Sequence, residues 1–295
     1  MAKGTATITV TTVDGSFTDT CAVTVTTSGG GSFGGGGGGG YIKPAKPEVL
    51  VPDNAVADGV TVTVDHIDYL TVNEVKDLVA KDDNLEVIGG RDSGALVAVK
   101  PANAVTSFAH PVQLTVPVSK SALQNVDDVN KLTLALVTTD AQGNIQFTYV
   151  GGNYDASKGT FTAYVNQPGK YVLMEKLDIV KLELTIDRYV VFVNGEPIIN
   201  DVPSRIVNNR TIVPAARVLH HMGCTVEWLS DTRTVAVTLP NGDVLNLPVD
   251  EPIPGFGAAP VIENGRTLVP IAYIADMMDA HVQWVGNDRK VIIVK

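Results

Sequence analysis

Hydrophobic and polar residues alternate along most of the chain, and this two-residue period predicts a protein rich in β-strands. In residues 48–178 the alternation recurs in short segments separated by turn-forming Gly, Asn and Pro, a spacing typical of β-sandwiches. One short helix is predicted through Ala80, with Thr71 and Glu74 as a capping box and three valines facing inward. The predicted strands are Val60–Val64, Leu96–Val99, Val112–Val118, Leu132–Val137, Ile145–Val150, Thr160–Val165 and Tyr171–Met174.

A ten-residue pattern near the C-terminus occurs twice, as Arg205–Pro214 and again 56 residues later as Val261–Pro270. Both copies place two turn-forming residues, Asn-Asn or Asn-Gly, between short strands, which predicts a two-residue hairpin with positive φ angles. The proline that ends each copy suits the first turn of a helix, and apolar residues three and four apart continue from it. Two alternating strands follow, so each copy reads as β-β-α-β-β and is too small to bury its apolar face alone.

This repeat is similar to the copper amine oxidase N-terminal-like domain, also called the stalk domain, over about residues 180–295. The resemblance rests on the two R-T-x-V-P segments in register, on the valine and tryptophan after each helix, and on a Val-Asn-Gly hairpin signal at residues 193–195. Two departures are Asp279, which stands where the first copy has Gly223, and residues 245–260, which lack a clear hairpin. The resemblance implies a non-catalytic stalk of the kind that recurs on secreted and wall-associated bacterial proteins.

The first 27 residues contain two strictly alternating stretches around an Asp-Gly turn signal, which predict a β-hairpin. They are similar to the closing strands of a bacterial immunoglobulin-like group 2 domain. We therefore expect the chain to begin inside a longer reading frame that carries the export signal upstream. The alternative is that residues 4–27 are completed by another protein through β-strand addition. Residues 28–47, rich in Gly and then in Pro, are expected to form a linker.

The predicted fold class is β-rich and multidomain, with a β-sandwich middle domain and an α+β stalk-like domain made of two β-β-α-β-β repeats. A length of 295 residues and a hydrophobic content of 44% allow about two packed cores of ordinary size. The expected domains are residues 1–27 for the C-terminal fragment of an immunoglobulin-like domain, 28–47 for the linker, 48–178 for the β-sandwich and 179–295 for the stalk-like domain.

Composition and charge exclude several classes of partner and of fold. A net charge of −10 argues against nucleic acid as a partner. No run of about eighteen apolar residues occurs, so we expect no membrane span. Two cysteines cannot form a disulfide framework for a chain of this length. Cys21 and Cys224 are expected to be buried free thiols, and a bridge between them is the alternative.

Candidate chemistry is sparse in this sequence. The common motifs of metalloproteases, disulfide oxidoreductases, serine hydrolases and EF-hands are missing, so no catalytic residue, cofactor or metal site is predicted. His66 with Asp68 would make a weak metal pair, but a solvated strand edge is the expected reading. Asp82–Asn84 with Asp92 offers oxygen ligands for calcium, but an ordinary polar loop is favoured. The His220–His221 pair is expected to end a helix, at the negative end of its dipole.

Two arginines and two tryptophans, one of each in every repeat, are the candidate ligand-binding residues. Arg210 and Arg266 follow the hairpin turns, where a hydrogen bond to a carbonyl or to an acidic side chain is the structural alternative to a ligand contact. Trp228 and Trp284 are expected to fill the core between sheet and helix. If they are exposed in a groove instead, they would suit stacking against a glycan.

Three classes of function compete. The leading hypothesis is a non-catalytic bacterial cell-surface or secreted scaffold with a stalk, display or anchoring role. The alternative is a carbohydrate- or peptidoglycan-binding module of a larger secreted protein. An enzyme is the third class, which the sequence does not favour. Either of the first two places the chain outside the cell, at the surface or in the wall, with a cell-wall polymer or other surface proteins as partners.

Overall fold

The chain folds as two compact units, residues 1–43 and 44–295. In the first unit, β1 (Gly4–Thr11) pairs antiparallel with β2 (Thr18–Val25), and these are the two strands that the alternation predicts. The Asp-Gly turn and most of the predicted linker lie outside the described residues. The immunoglobulin-like assignment and strand addition through this hairpin stay predictions. A computed structural model describes residues 4–11, 18–25, 45–88, 94–286 and 288–295.

A β-sandwich forms the N-terminal part of the second unit. Its strands are β3 (Glu48–Leu50), β4 (Thr61–His66), β5 (Leu85–Val87), β6 (Gly94–Lys100), β7 (Val112–Pro117), β8 (Leu132–Thr139), β9 (Ile145–Gly151), β10 (Asn153–Asp155), β11 (Thr160–Val165) and β12 (Gly169–Lys176). One sheet has the order β10-β11-β7-β3, and the other has the order β4-β6-β12-β8-β9 with β5 against β12. Leu114 and Phe161 of the first sheet and Leu134 and Tyr171 of the second are buried in one core between the sheets.

The strands of this sandwich follow the sequence pattern closely. Each of the seven predicted strands coincides with one observed strand, namely β4, β6, β7, β8, β9, β11 or β12. The sequence did not predict β3, β5 and β10, because a two-residue period cannot be recognised in a strand of three residues. The missed strands lie beside longer predicted ones, so the layer arrangement is as expected.

The helix of the sandwich, α1 (Tyr69–Val79), begins earlier than predicted. Its N-cap is Asp68, whose carboxylate accepts hydrogen bonds of 2.8 Å from the backbone N–H and from the hydroxyl of Thr71. The prediction of Thr71 as the cap was wrong, because an aspartate upstream offers two acceptor oxygens to the first helical turn and also pairs with Lys170 at 3.0 Å. The predicted inward stripe is confirmed, since its valines are buried: Val72, Val75 and Val79.

The C-terminal domain contains the two predicted β-β-α-β-β repeats. Every element of the first repeat, from β16 to β19, recurs 56 residues later, from β21 to β24. Asn208 and Asn209 in one hairpin turn and Asn264 and Gly265 in the other have positive φ angles, as predicted. The elements are β13 (Lys181–Thr185), β14 (Val190–Val193), β15 (Glu196–Ile199), β16 (Arg205–Val207), β17 (Arg210–Pro214), α2 (Ala215–His221), β18 (Thr225–Leu229), β19 (Thr234–Thr238), β20 (Val244–Pro248), β21 (Val261–Glu263), β22 (Arg266–Pro270), α3 (Ile271–Met277), β23 (His281–Val285) and β24 (Lys290–Val294).

The repeats meet through a pseudo-two-fold pairing of their hairpins. β17 pairs antiparallel with β22, and Val213 lies opposite its own counterpart, Val269. The two hairpins therefore form one sheet, in the order β16-β17-β22-β21. Both valines are fully buried, in a core that receives side chains from both copies. Neither repeat is an independent fold, as its small size predicts.

Each repeat also gives its leading strand to the other copy. The strand β13, which precedes the first repeat, pairs with β24 of the second, while β20, which precedes the second repeat, pairs with β19 of the first. Equivalent ion pairs fasten the two exchanged strands, with Arg233 Nη2 at 3.1 Å from Asp250 Oδ2 and Arg289 Nη2 at 2.9 Å from Asp187 Oδ2. This exchange interlocks the copies and was not apparent from the repeat alone.

A buried lysine joins the β-sandwich to the C-terminal domain. Lys181 is 4% exposed, and its Nζ donates hydrogen bonds to the carbonyls of Leu132 at 2.7 Å and Gly152 at 2.8 Å. Around it, the Tyr164 hydroxyl donates to Asp288 Oδ2 at 2.8 Å. An apolar cluster lies at the same contact, and the predicted boundary between residues 178 and 179 falls next to it: Ile179, Val285, Ile292 and Val294, with Tyr149 and Tyr164 against them.

We expect the buried lysine to make stability depend on pH. Burial lowers the pKa of Lys181 from 10.5 to about 8, although the charges of Glu183 and Asp128 oppose the shift. Between these pH values the unfolded chain holds the proton that the folded chain has lost. The contribution of Lys181 to the free energy of unfolding therefore rises as the pH is raised from about 8 towards 10.5.

The measurement is chemical denaturation of the wild-type chain and of Lys181→Met at several pH values in this window. The unfolding free energy of the wild type minus that of the variant should increase with pH, because only the wild type contains the titrating lysine. Tyrosine ionisation affects both proteins equally and cancels in the difference. A difference that stays flat or falls with rising pH would contradict the expectation.

The two positions after the helices allow a matched stability test. Asp279 has a φ of 52° where the first copy has Gly223 with a φ of 81°. Asp279→Gly should stabilise the fold by about 0.5–1 kcal/mol, because it relieves the steric strain of Cβ and removes a negative charge from the negative end of the helix dipole. Gly223→Asp should destabilise by a similar amount, and Asn209→Gly should be near neutral. If denaturation shows that Asp279→Gly destabilises, the carboxylate has a specific partner.

Candidate functional site

Two grooves with the same construction lie on the C-terminal domain. The larger, named here the Trp228 groove, has a volume of about 790 Å³, and the smaller, named the Trp284 groove, has about 420 Å³. All nine residues that line the Trp284 groove have a counterpart 56 positions away that lines the Trp228 groove. The grooves are therefore two copies of one surface feature.

Each groove is built across the repeats. The Trp228 groove combines the hairpin of the second repeat, through Ile262 and Arg266, with α2 and the strands of the first repeat. The Trp284 groove combines the hairpin of the first repeat, through Ile206 and Arg210, with α3 and the strands of the second. This crossing follows from the β17–β22 pairing, which carries each hairpin over to the other copy. A single repeat would contain only half of a groove.

The tryptophans lie at the surface of these grooves and not in the core. Trp228 is 43% exposed and Trp284 is 40% exposed, so the prediction that they fill the core between sheet and helix was wrong. Trp228 lies on β18 and Trp284 on β23, and both strands are sheet edges with a neighbouring strand on one side only. The strand pattern did not reveal this position, because alternation identifies a shared face and not the extent to which a helix covers it.

The two candidate arginines lie in the grooves, and each already has a partner. Arg266 Nε and Nη2 approach Asp201 Oδ2 at 2.8 Å and 2.7 Å, and these contacts hold the pKa of the Asp201 carboxyl below its ordinary value. Arg210 Nε donates to the carbonyl oxygen of Phe256 at 2.8 Å. These bonds to an acidic side chain and to a carbonyl are the structural alternative that the sequence left open. Both side chains remain exposed, so a ligand contact through them stays a prediction.

The Trp228 groove has additional polar residues that its counterpart lacks. Asn200, Asp201, Arg217, His220 and Glu227 line it as well. Asn200 is 2% exposed, and within the described part of the chain its carboxamide oxygen and nitrogen have no hydrogen-bond partner. A buried carboxamide without partners is unusual, because leaving both a donor and an acceptor unsatisfied costs stability. No sequence signal distinguished Asn200 from an ordinary loop residue.

The remaining candidate residues have structural surroundings. Asp68 caps α1, and Asp82 Oδ1 accepts from the Asn84 backbone N–H at 2.9 Å, whereas Asp92 lies outside the described residues. His220 and His221 occupy the last turn of α2, as predicted. Within the described residues, no group of three or more His, Cys, Asp and Glu side chains is placed to share a metal ion, and no helix is long and apolar enough to cross a membrane.

The one cysteine whose side chain is described behaves as expected. Cys224 is a free, buried thiol, and its Sγ lies 3.4 Å from Met278 Sδ in the core of the C-terminal domain. Burial raises the pKa of this thiol, which keeps it protonated and unreactive. Cys224 therefore acts as a small apolar core residue.

Comparison with known families matches the C-terminal part of the chain, beginning at β10 of the β-sandwich and including both repeats. Residues 154–237 and 250–295 match the family model described as copper amine oxidase N-terminal domain. These segments, which together make up less than half of the chain, are similar to that domain. The resemblance inferred from the repeat is thus confirmed, and the matched domain is non-catalytic and stalk-like. The match omits residues 238–249, which contain the exchanged strand β20. No curated protein matches the sequence.

Proposed function

We propose that the chain is a non-catalytic scaffold of the bacterial cell surface, in which the copper amine oxidase N-terminal domain and the β-sandwich together form a rigid spacer. The observation that carries this proposal is the joint around Lys181. A charged group buried between two modules needs carbonyl partners from the neighbouring module to remain stable, and Leu132 and Gly152 supply them. The modules therefore stay docked and present a fixed distance and orientation to a displayed partner.

The joint has further contacts that support a rigid spacer. Lys131 Nζ donates to the Ile179 carbonyl at 2.9 Å, and Gln283 Nε2 donates to Asn166 Oδ1 at 2.8 Å across the same contact. Contacts between domains that merely share a linker are usually weaker and allow relative motion. Here the hydrogen bonds surround an apolar cluster, which restricts sliding as well as separation.

A surface location and a fixed spacing can both be measured. Antibodies or an added protease should reach the protein on intact cells of a strain that produces it, and a cytoplasmic control protein should stay untouched. The small-angle scattering curve of residues 44–295 should fit one rigid body. In Lys181→Ala the distribution of interatomic distances derived from the curve should become broader, because the modules separate. Protection in intact cells would contradict the surface role, and a flexible wild-type pair would contradict the spacer role.

A second candidate function, binding of cell-wall carbohydrate, is favoured by the exposed tryptophans. An indole face attracts the C–H groups of a sugar ring, because the π face carries negative charge and those hydrogens carry positive charge. Each tryptophan here lies in a groove beside an exposed isoleucine and an arginine, which supplies an apolar surface and hydrogen-bond donors. In this case the C-terminal domain anchors the scaffold to the wall polymer.

We expect the tryptophans to be required for wall binding. The wild-type chain should sediment with purified cell-wall polysaccharide. The double variant Trp228→Ala/Trp284→Ala should bind at least about tenfold more weakly, because each groove loses one well-packed aromatic contact. Phe192→Ala is the matched control, because Phe192 is an aromatic side chain that is 42% exposed but lies outside both grooves. Equal loss in the control, or full binding by the double variant, would argue against the carbohydrate function.

We also expect the purified protein to contain no stoichiometric copper and to have no amine oxidase activity. The reason is that the matched family domain is the non-catalytic part of such oxidases, and the five histidines are scattered along the sequence. Metal analysis combined with an assay of amine-dependent peroxide release tests both statements. One tightly bound copper per chain together with peroxide release would overturn them.

A further inference from the structure

We propose that the two grooves are copies of one saccharide site that have diverged in charge, so that the Trp228 groove takes a neutral sugar ring and the Trp284 groove takes a ring bearing a carboxylate. This inference rests on the carbohydrate-binding function proposed above and goes beyond it by assigning a different ligand to each copy. Nothing in the repeated motif itself separates the copies, since each provides the same tryptophan, isoleucine and arginine.

The two grooves differ in charge. Among the residues that line the Trp228 groove, Arg217 and Arg266 are balanced by Asp201 and Glu227. The Trp284 groove is lined by one charged residue, Arg210. The charges of the arginines and carboxylates therefore cancel in the first groove, and the second carries one positive charge. Charge complementarity favours a neutral ligand in the first and an anion in the second.

The two equivalent arginines differ in their hydrogen-bond partners. The guanidinium of Arg266 is occupied by the Asp201 carboxylate, at 2.8 Å from Nε and 2.7 Å from Nη2, so a ligand carboxylate would have to displace an existing one. The same carboxylate lies 3.9 Å from Nη2 of Arg217. A second carboxylate at this place would be repelled, because like charges in contact are destabilising.

Arg210 is in a different state, because the residue 56 positions after Asp201 is Gly257. Its Nε donates to the carbonyl of Phe256, and within the described residues its terminal amino groups have no carboxylate partner. These amino groups form a planar pair of donors that matches the two oxygens of a carboxylate. A sugar carboxylate can therefore bind to Arg210 while its ring stacks on Trp284.

Neutral sugar rings are better served by the Trp228 groove. Asn200 is one of the residues that line this groove, and its buried carboxamide has no hydrogen-bond partner within the described residues; the residue 56 positions later is Phe256. A carboxamide both donates and accepts, which is the pairing that sugar hydroxyl and acetamido groups require. The Phe256 ring instead packs edge-to-face on Tyr273, with centroids 5.0 Å apart, and adds no polar group.

The two tryptophans make a direct test possible, because the chain contains two in all and each reports on one groove. In an ¹H–¹⁵N spectrum of the labelled full chain, Trp228→Phe assigns the two indole signals. The probes are a tetramer of β-1,4-linked N-acetylglucosamine and a tetramer of galacturonate. We expect the neutral probe to shift the Trp228 signal and the uronate probe to shift the Trp284 signal. At each groove the affinity for the expected probe should exceed that for the other probe by at least about tenfold, which is the contribution of one charge-assisted hydrogen bond.

Substitutions in the charged residues should change these preferences. Arg210→Gln should abolish the response of Trp284 to galacturonate, whereas Arg210→Lys should keep part of it, because the charge remains but the planar pair of donors is lost. Asp201→Asn should give the Trp228 groove an affinity for galacturonate about tenfold higher than in the wild type, since Arg266 is released. The spectra of the free variants report whether the fold is intact.

Failure of this inference can be separated from failure of the carbohydrate function. If both indole signals respond to both probes with affinities within about threefold, or if Arg210→Gln leaves the uronate response unchanged, the divergence in charge is overturned while sugar binding stands. If neither probe shifts either signal, the divergence is overturned as well. If the chain in that case also fails to sediment with wall polysaccharide, the carbohydrate function fails with it.

Discussion

The antiparallel pairing of β17 with β22 is the contact on which the rest of the C-terminal domain depends. It sets Val213 against Val269, fully buried, and makes one sheet out of hairpins that are 56 residues apart. The proline after each valine keeps it in extended geometry and then starts the helix, so the strand ends at the same point in both copies. From this one pairing follow the shared core, the position of each helix over the neighbouring sheet, and the assembly of each groove from both repeats.

The strand β13 connects this symmetric arrangement to the β-sandwich. It completes the sheet of the second repeat on one side, and from the same strand Lys181 reaches carbonyls of the sandwich. Its equivalent, β20, has the exposed Val244 at the register position of Lys181. The two repeats therefore differ at the junction with the sandwich, because only one of the two equivalent strands can face it. The buried lysine favours this alignment of the two modules, because the sandwich supplies two carbonyl acceptors to its ammonium group.

Local features of the fold were predictable from the sequence, and long-range ones were not. The hairpin turns at Asn209 and Gly265, the helices after the prolines and the long strands of the sandwich follow from nearest-neighbour chemistry. The start of α1 was misplaced because the Thr71–Glu74 capping-box pattern was followed, whereas Asp68 caps the helix three residues earlier and pairs with Lys170. The strand exchange and the exposure of the tryptophans depend on which sheet edge meets which helix. The sequence did identify the arginines and tryptophans of the grooves as candidates, but it did not show that each groove joins an arginine of one copy to a tryptophan of the other.

This crossing has a consequence for how the two copies can diverge. A change in the first hairpin, such as one at Arg210, would alter the groove of the second copy's tryptophan, and we expect both copies to keep their fold because the hairpin tip is exposed while the valine at its base is buried. Core positions are held by the symmetric pairing, whereas Asp201 of the Trp228 groove and Gly257, 56 positions later, lie in connections that the pairing does not constrain. A duplicated domain of this kind keeps one scaffold and can present two different surfaces. In this chain the two surfaces are the grooves, and they differ in charge.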